Sequence, residues 1–227
     1  MVETCRKSGV LLMTAYRKYF EASALYIKRL IQDFGLGSID VIQSAFSELY
    51  VPGVSLPWLI NSDVAGGGPL MDLGVYCVNT TRWLVDEDPI EVDVRSWRRH
   101  PTTFRDVEQG IAFTLRFPSG LVAQATSSCG AVLSSHLFIQ GTKGWLSLAP
   151  AFTFDEERKL TGKIADKWIQ RKFAVVDEFA PELDAFAGAI QQGAPIEPNG
   201  DQGHRDAIIL NTGVRVREES NTSADPV

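Results

Sequence analysis

From residue 89 onward the chain breaks into short apolar or alternating runs, and this texture narrows the possible folds more than any other feature. IEVDVRSWRRH, VEQGIAFTLRF, LVAQATSSC, SHLFIQ and GWLSLA are each short for a buried helix and are divided by Pro, Gly and Ser. Alternation at a period of two sends one set of side chains to a core and the other away from it. Residues that favour reversal fall between the runs, in FPSG at 117–120 and GTKG at 141–144. The pattern predicts an antiparallel sheet, with further short strands over 151–175.

Around that sheet the spacing turns helical. MVETCRKSG has helical character up to Gly9, and VLLMTAY after it suits a buried strand. Within residues 21–37, Ala24, Leu25, Ile27, Leu30, Ile31 and Phe34 recur at helical spacing before a pair of glycines. SIDVIQSAFSELY reads as a strand with Ile39, Val41, Gln43, Ala45 and Ser47 on one side, and periodicity leaves its core face open. Residues 50–65 are rich in breakers and predict an extended loop. PELDAFAGAIQQG predicts a helix with Leu183, Phe186, Ala187 and Ile190 on one face, stopped by Gly193, and a last helix begins near Asp201. The polar tail REESNTSADPV offers no packable stripe and is expected to be frayed or disordered.

Composition excludes several classes of function. With 227 residues, 44% of them apolar, the chain can bury a core of its own. A formal net charge of −6 and a pI near 5.1 argue against nucleic-acid or anionic-membrane partners, which need a clustered basic surface. Cys5, Cys77 and Cys129 lie far apart, so neither a disulfide framework nor a zinc site is expected. His100 and His136 carry no ligand spacing, and no metal site is predicted. GVLLMTAY is too short to span a bilayer and follows no signal pattern, so a cytoplasmic location is expected and the sequons at Asn79 and Asn221 read as chance.

One segment sets polar groups where a core would want apolar ones. In AGGGPLMDLGVYCVNTTRWL, residues 65–84, a helix starting near Pro69 aligns Asp72, Tyr76 and Asn79 along one face, flanked by Leu70, Leu73, Val75 and Val78. Such a stripe must be paired, solvated in a cleft, or costly. Two explanations remain open from the residues alone: a functional cleft, or Asp72 capping the first turn while Tyr76 packs in the core. Gly74 points away from Asp72 and implies a close neighbour on the helix's back face. The three glycines lack a GxxxxGK or strand-GxGxxG-helix context. Asp201 and Asp206, near His204 and Arg205, read as caps of the last helix. Trp83, Trp97 and Trp145 read as packing or interface aromatics, and FDEERK at 154–159 as a solvated strand end.

GGGPLMDLGVYCVNTTRWL also resembles the signature helix of the glucose-fructose oxidoreductase, inositol dehydrogenase and rhizopine-catabolism (Gfo/Idh/MocA) family. Three more segments agree in order: SGVLLMTAYRKYFEASALYIKRLI with its Tyr16-Arg17 pair, FIQGTKGWLSLAPAF, and PIEPNGDQGHRDAIIL. The resemblance implies an α+β fold over residues 18–217, with a large, mostly antiparallel open sheet and helices on one face. Residues 1–17 would be the remnant of a Rossmann helix and strand, and 218–227 a tail. The GxGxxG turn and the Glu-Lys-Pro motif, whose lysine is catalytic in the family, have no counterpart in this sequence.

Carried onto matching positions, the resemblance makes Tyr76 the catalytic proton acceptor and Asp72 its partner carboxylate. Asp72, Tyr76 and Asn79 would bind substrate, and Tyr16 and Arg17 would contact the cofactor. It implies NADP or NAD in the intact enzyme and none on this chain alone, a sugar or polyol substrate, and a homo-oligomer formed through the sheet. Tyrosine in place of histidine is similar to the glucose-fructose, xylose and dihydrodiol dehydrogenase branches. A phenol titrates near about 10, so the mechanism asks for a nearby cation, a role the missing lysine fills in the family. The alternative expectation is a non-catalytic oligomerisation module that keeps only the sheet.

Overall fold

Strand β1 (Ile39–Ser47) lies in the interior of an eight-stranded sheet, and its burial settles the face that periodicity left open. Ile42, Ser44 and Phe46 turn to the core, while Gln43 is exposed. The structure is a computed structural model that describes residues 1–33, 35–55 and 57–222, with side chains described through residue 215 apart from 34 and 56. The other strands are β2 (Glu91–Trp97), β3 (Gly110–Arg116), β4 (Val122–Ser128), β5 (Ser134–Gly141), β6 (Gly144–Ala149), β7 (Arg158–Ile164) and β8 (Lys167–Phe173). Their order is β2-β3-β4-β1-β5-β6-β7-β8.

Every pairing is antiparallel except β1 with β4, where Val41 faces Val122 and Ser47 faces Ser128. That exception follows from connectivity. After β1 the chain crosses to the far edge, enters β2, and returns by hairpins until β4 lies beside β1. The two edges, β2 and β8, carry Glu91, Asp93 and Arg95, or Lys167, Arg171 and Lys172, all exposed, which disfavours edge-to-edge pairing.

One sheet face is apolar and covered. Val94, Ile111, Phe113, Leu115, Leu137, Ile139, Leu146, Leu148 and Leu160 are nearly inaccessible, each contributing roughly 1.5–3 kcal/mol by burial. Covering them are helices α4 (Val75–Val85) and α6 (Gly200–Thr222) and a π-helical turn over Leu70–Gly74. The remaining helices are α1 (Val2–Lys7), α2 (Ala22–Gln32), α3 (Ser62–Ala65) and α5 (Phe179–Gln192). Glu21 caps α2 by accepting from the backbone of Ser23 and Ala24. Asn199 and Gln202 form a reciprocal capping pair at the start of α6.

Several expectations need correction. VLLMTAY forms no strand: it is extended and makes one bridge, Met13 to Asn199, because no described strand runs alongside to complete a ladder. Asn199 caps α6, so neither Asp201 nor Asp206 does; Asp201 pairs with Arg6, and Asp206 is fully buried. The backbone of α6 runs to Thr222, past the expected start of a disordered tail at 218, and residues 223–227 lie outside the described residues. Phe34 is likewise outside them, and α2 ends at Gln32. The FDEERK segment is exposed as expected except at Arg158, which is 0% exposed. Among the described residues no helix is long and apolar enough to cross a membrane.

The glycines before the π-turn have separate duties. Gly66, at φ +76°, ends α3 in the left-handed region. Gly68 lies so close to Glu108 that an added Cβ would stand 2.5 Å from its carbonyl oxygen. Gly68→Ala should therefore cost about 1–3 kcal/mol by displacing backbone, read as a lower urea midpoint. Gly74 meets the expectation of a close neighbour: its Cβ would lie 3.5 Å from the Phe113 ring on β3.

Candidate functional site

The π-turn and α4 place the polar stripe where the sequence put it, and one cavity of about 250 Å³ gathers its members. Asp72, Tyr76 and Asn79 line one side; Tyr16, Arg17 and Lys18, from the short 3-10 turn Arg17–Tyr19 and the residue before it, line the other. A widened turn at a candidate site is a recurrent device for aiming a side chain. This turn is anchored by Glu108, buried on the loop before β3, whose carboxylate accepts from the backbone N–H of Gly68 (3.2 Å) and Leu70 (3.3 Å). Negative charge there also complements the helix start.

Asp72 is half-buried and accepts a hydrogen bond from the Tyr50 hydroxyl. Burial, reinforced by that carboxylate, holds the Tyr50 phenol well above its ordinary pKa, so Tyr50 stays a donor. Tyr76 stands half-buried in an aromatic pocket. Phe46 meets its ring edge-on at 5.4 Å, Phe152 lies 6.1 Å away, and the Arg17 guanidinium sits 5.2 Å from the ring centroid. No hydrogen bond to a described residue ties up its hydroxyl among those resolved, and the hydroxyl belongs to a side chain lining the cavity.

Three other expected site residues are more deeply committed. Asn79 is 3% exposed and donates to Asp206 at 2.9 Å. Asp206 also accepts from Arg82 and from Tyr16, whose phenol burial raises, with the Asp206 charge adding to it. Arg17 donates to Glu178 and to the carbonyl of Phe152, so its guanidinium is a fixed part of the wall. The structure thus brings Tyr16, Arg17, Asp72, Tyr76 and Asn79 together, with Asp72 and Tyr76 the two whose polar ends are least spoken for.

Sequence reading missed the residues that hold these in place. Tyr50, Glu108, Glu178 and Arg158 reach the site only through the fold; Arg17 and Glu178 are separated by 161 positions. Lys18 and Glu21 had a local signal, an i,i+3 spacing beside Arg17, and they form a buried pair at 2.9 Å. Burial lowers Lys18 to about 8, opposed by the charge of Glu21. Burial alone would raise Glu21, but Lys18 and the Ser23 donors outweigh it and hold the carboxyl at about 2.

That last shift carries a sign. A carboxyl depressed in the folded state stabilises the fold above its ordinary pKa, and the contribution disappears as pH falls from about 4.5 toward 2. Glu21→Gln should cost about 3 kcal/mol at neutral pH, and urea midpoints of the two proteins should converge as the buffer is taken down toward pH 3. A gap that stays constant with pH would contradict the pairing. No group of three or more His, Cys, Asp or Glu that could hold a metal ion occurs among the described residues.

Comparison with known proteins places this geometry among relatives. Residues 24–147 match a family model described as the GFO/IDH/MocA C-terminal domain. A D-xylose 1-dehydrogenase (NADP(+)) of Haloarcula marismortui is 32% identical over 230 residues, covering 99% of this chain and 62% of the relative. A 1,5-anhydro-D-fructose reductase of Ensifer adhaerens is 25% identical, covering 98% of this chain and 66% of the relative. Among solved structures, an aldose-aldose oxidoreductase from Caulobacter crescentus complexed with glycerol superposes with a TM-score of 0.89 at 28% identity, over 96% of this chain and 65% of that one. The chain therefore spans about two thirds or less of the length of these relatives.

Proposed function

Because this chain belongs to the GFO/IDH/MocA family of oxidoreductases, we propose that it is the substrate-binding and assembly half of an NAD(P)-dependent enzyme that oxidises a CH–OH group of a sugar, polyol or related diol. The observation that carries the reading is the convergence of Asp72 and Tyr76 on one small cavity, with Arg17 over the Tyr76 ring. Support also comes from the relatives, two of which are named for sugar substrates and one of those for NADP.

In this reading Tyr76, acting as its phenolate beside the Arg17 guanidinium, receives the hydroxyl proton at its Oη and becomes the neutral phenol, while Asp72 accepts hydrogen bonds from neighbouring hydroxyls and Tyr50 keeps the Asp72 carboxylate turned to the cavity. The nicotinamide, when bound, supplies the acceptor for the hydride leaving the same carbon. The cavity suits a monosaccharide and is too small for a dinucleotide, and no glycine-rich turn of this sequence would hold the pyrophosphate. Tyr16 and Arg17 are therefore proposed to meet the nicotinamide edge as wall, since Asp206 and Glu178 already hold their polar ends.

The nucleotide-binding domain, on this proposal, lies outside the sequence described, either in the same protein or on another chain. An exposed apolar surface beside Arg17 fits its docking: Phe154 lies 5.4 Å from the Arg17 guanidinium and packs edge-on to Phe179, and Leu183 and Ile190 continue the patch along α5. The test is a panel of pentoses, hexoses and polyols assayed for NAD or NADP reduction once a nucleotide-binding domain is supplied. Turnover with at least one compound supports the reading; none with any of them, although the cofactor binds, rejects it.

A second reading, assembly through the sheet, has its own observation. The face of the sheet away from the helices carries the cluster Phe138, Trp145 and Trp168, with Trp168 70% exposed. Sedimentation should give a species heavier than one chain, reduced to a monomer by Trp168→Glu.

A further inference from the structure

A lysine this deeply buried is an unusual wall residue for a cavity. Lys18 is 3% exposed, yet it lines the same cavity as Asp72 and Tyr76. Burying an ammonium is costly unless each of its three N–H groups finds an acceptor. Among the described residues one hydrogen-bond acceptor is resolved for its Nζ, Glu21 Oε2 at 2.9 Å. Glu21 has little more to give, because its two oxygens also accept from the backbone of Ser23 and Ala24 and from the Ser23 hydroxyl. Glu178, the next buried carboxylate, is held by Arg17 and Arg158. Two N–H groups of Lys18 thus have no partner among the described residues, and the residue itself lines the cavity.

We propose that Lys18 is a ligand-binding residue of this cavity, its two remaining N–H groups taking an oxygen of the sugar or polyol held against Tyr76 and Asp72. The inference rests on the function proposed above and adds to it a cation on the wall opposite Asp72. Glu21 is the positioning residue: its fixed carboxylate holds the ammonium at the cavity edge and keeps it from folding back into the core. A cation there favours an oxygen that gains negative charge, which is the carbinol oxygen as its proton leaves.

The groups whose charges act on Lys18 are Glu21 from its own segment, Arg158 from β7 and Glu178 from the residues before α5; Arg17, Asp72 and Tyr76 share the cavity. Burial, then Arg158, lowers the lysine and the two glutamates raise it, leaving it at about 8. Binding that uses the ammonium should accordingly be full at neutral pH and decline as pH rises through that value.

The test uses the 227-residue chain with lysine-selective and tyrosine-selective isotope labels, D-xylose as the probe, and nuclear magnetic resonance as the readout. The expected result is that the Lys18 and Tyr76 signals shift along one saturation curve at pH 7 and that both responses fade toward pH 9. K18M should weaken binding roughly 10- to 100-fold, the loss of a charged hydrogen bond, and K18R should restore binding without the decline at high pH. A merely structural lysine would give neither the direct shift nor the altered pH profile in K18R. If Tyr76 responds and Lys18 does not, or if folded K18M binds as the wild type does, this inference is wrong while the proposed function stands. If neither signal responds to D-xylose, this inference falls, and the proposed function is decided separately by the turnover panel.

Discussion

Tyr76→Phe, assayed with a nucleotide-binding domain supplied, should lower kcat/KM roughly 100- to 10,000-fold and leave the unfolding midpoint almost unchanged. The two halves of that expectation have different sources. The ring is held by Phe46, Phe152 and the Arg17 guanidinium, all of which contact the aromatic face or edge that phenylalanine keeps. The hydroxyl has no such structural duty among the described residues, so removing it strips chemistry from the cavity and little from the core. A large loss of stability would show that the hydroxyl is a packing element, the blander of the two explanations the sequence left open. Unchanged turnover would place the proton acceptor elsewhere.

Glu178→Gln should have the largest effect on stability, about 3–5 kcal/mol, because Arg17 loses its hydrogen-bonded carboxylate and Arg158 keeps only Glu21, 3.9 Å from its Nε. Glu178 is 1% exposed and accepts from both Arg17 and Arg158, and Arg158 already has Nε and Nη1 without hydrogen-bond partners. For a chain of this size that loss corresponds to a fall in Tm of roughly 6–20 °C, measurable by calorimetry. Arg17 also covers the Tyr76 ring, so sugar turnover should fall with it even below the new Tm. A shift smaller than that of Glu21→Gln would mean that the Arg17–Glu178–Arg158 cluster is not what joins the start of the domain to β7 and α5.

The sheet was legible in the sequence because its strands are short, alternate, and are separated by turn residues, a local pattern that burial then confirms at Ile42, Phe113 and Ile139. The cavity was half legible. Asp72 and Tyr76 sit four apart on a helix, a spacing that any reader can see, whereas the supports of Asp72 and Arg17 come from Tyr50, Glu108 and Glu178, whose approach depends on tertiary folding. VLLMTAY shows the reverse error: its composition favours a strand, but a strand exists only where another segment completes the ladder, and one bridge to Asn199 does not. Asp206 misled for a similar reason. Near a helix start an acid suggests a cap, yet its side chain faces inward to Asn79 and Arg82.

The most direct measurement follows the hydrogen itself. A sugar deuterated at its carbinol carbon, oxidised by the chain together with a nucleotide-binding domain and NADP, should deliver the deuterium to the reduced nicotinamide, and Tyr76→Phe should abolish nearly all of that transfer. Oxidation that leaves the deuterium in solvent, or transfer undiminished in Tyr76→Phe, would contradict the assignment of this cavity as the place where a sugar carbon gives up its hydride.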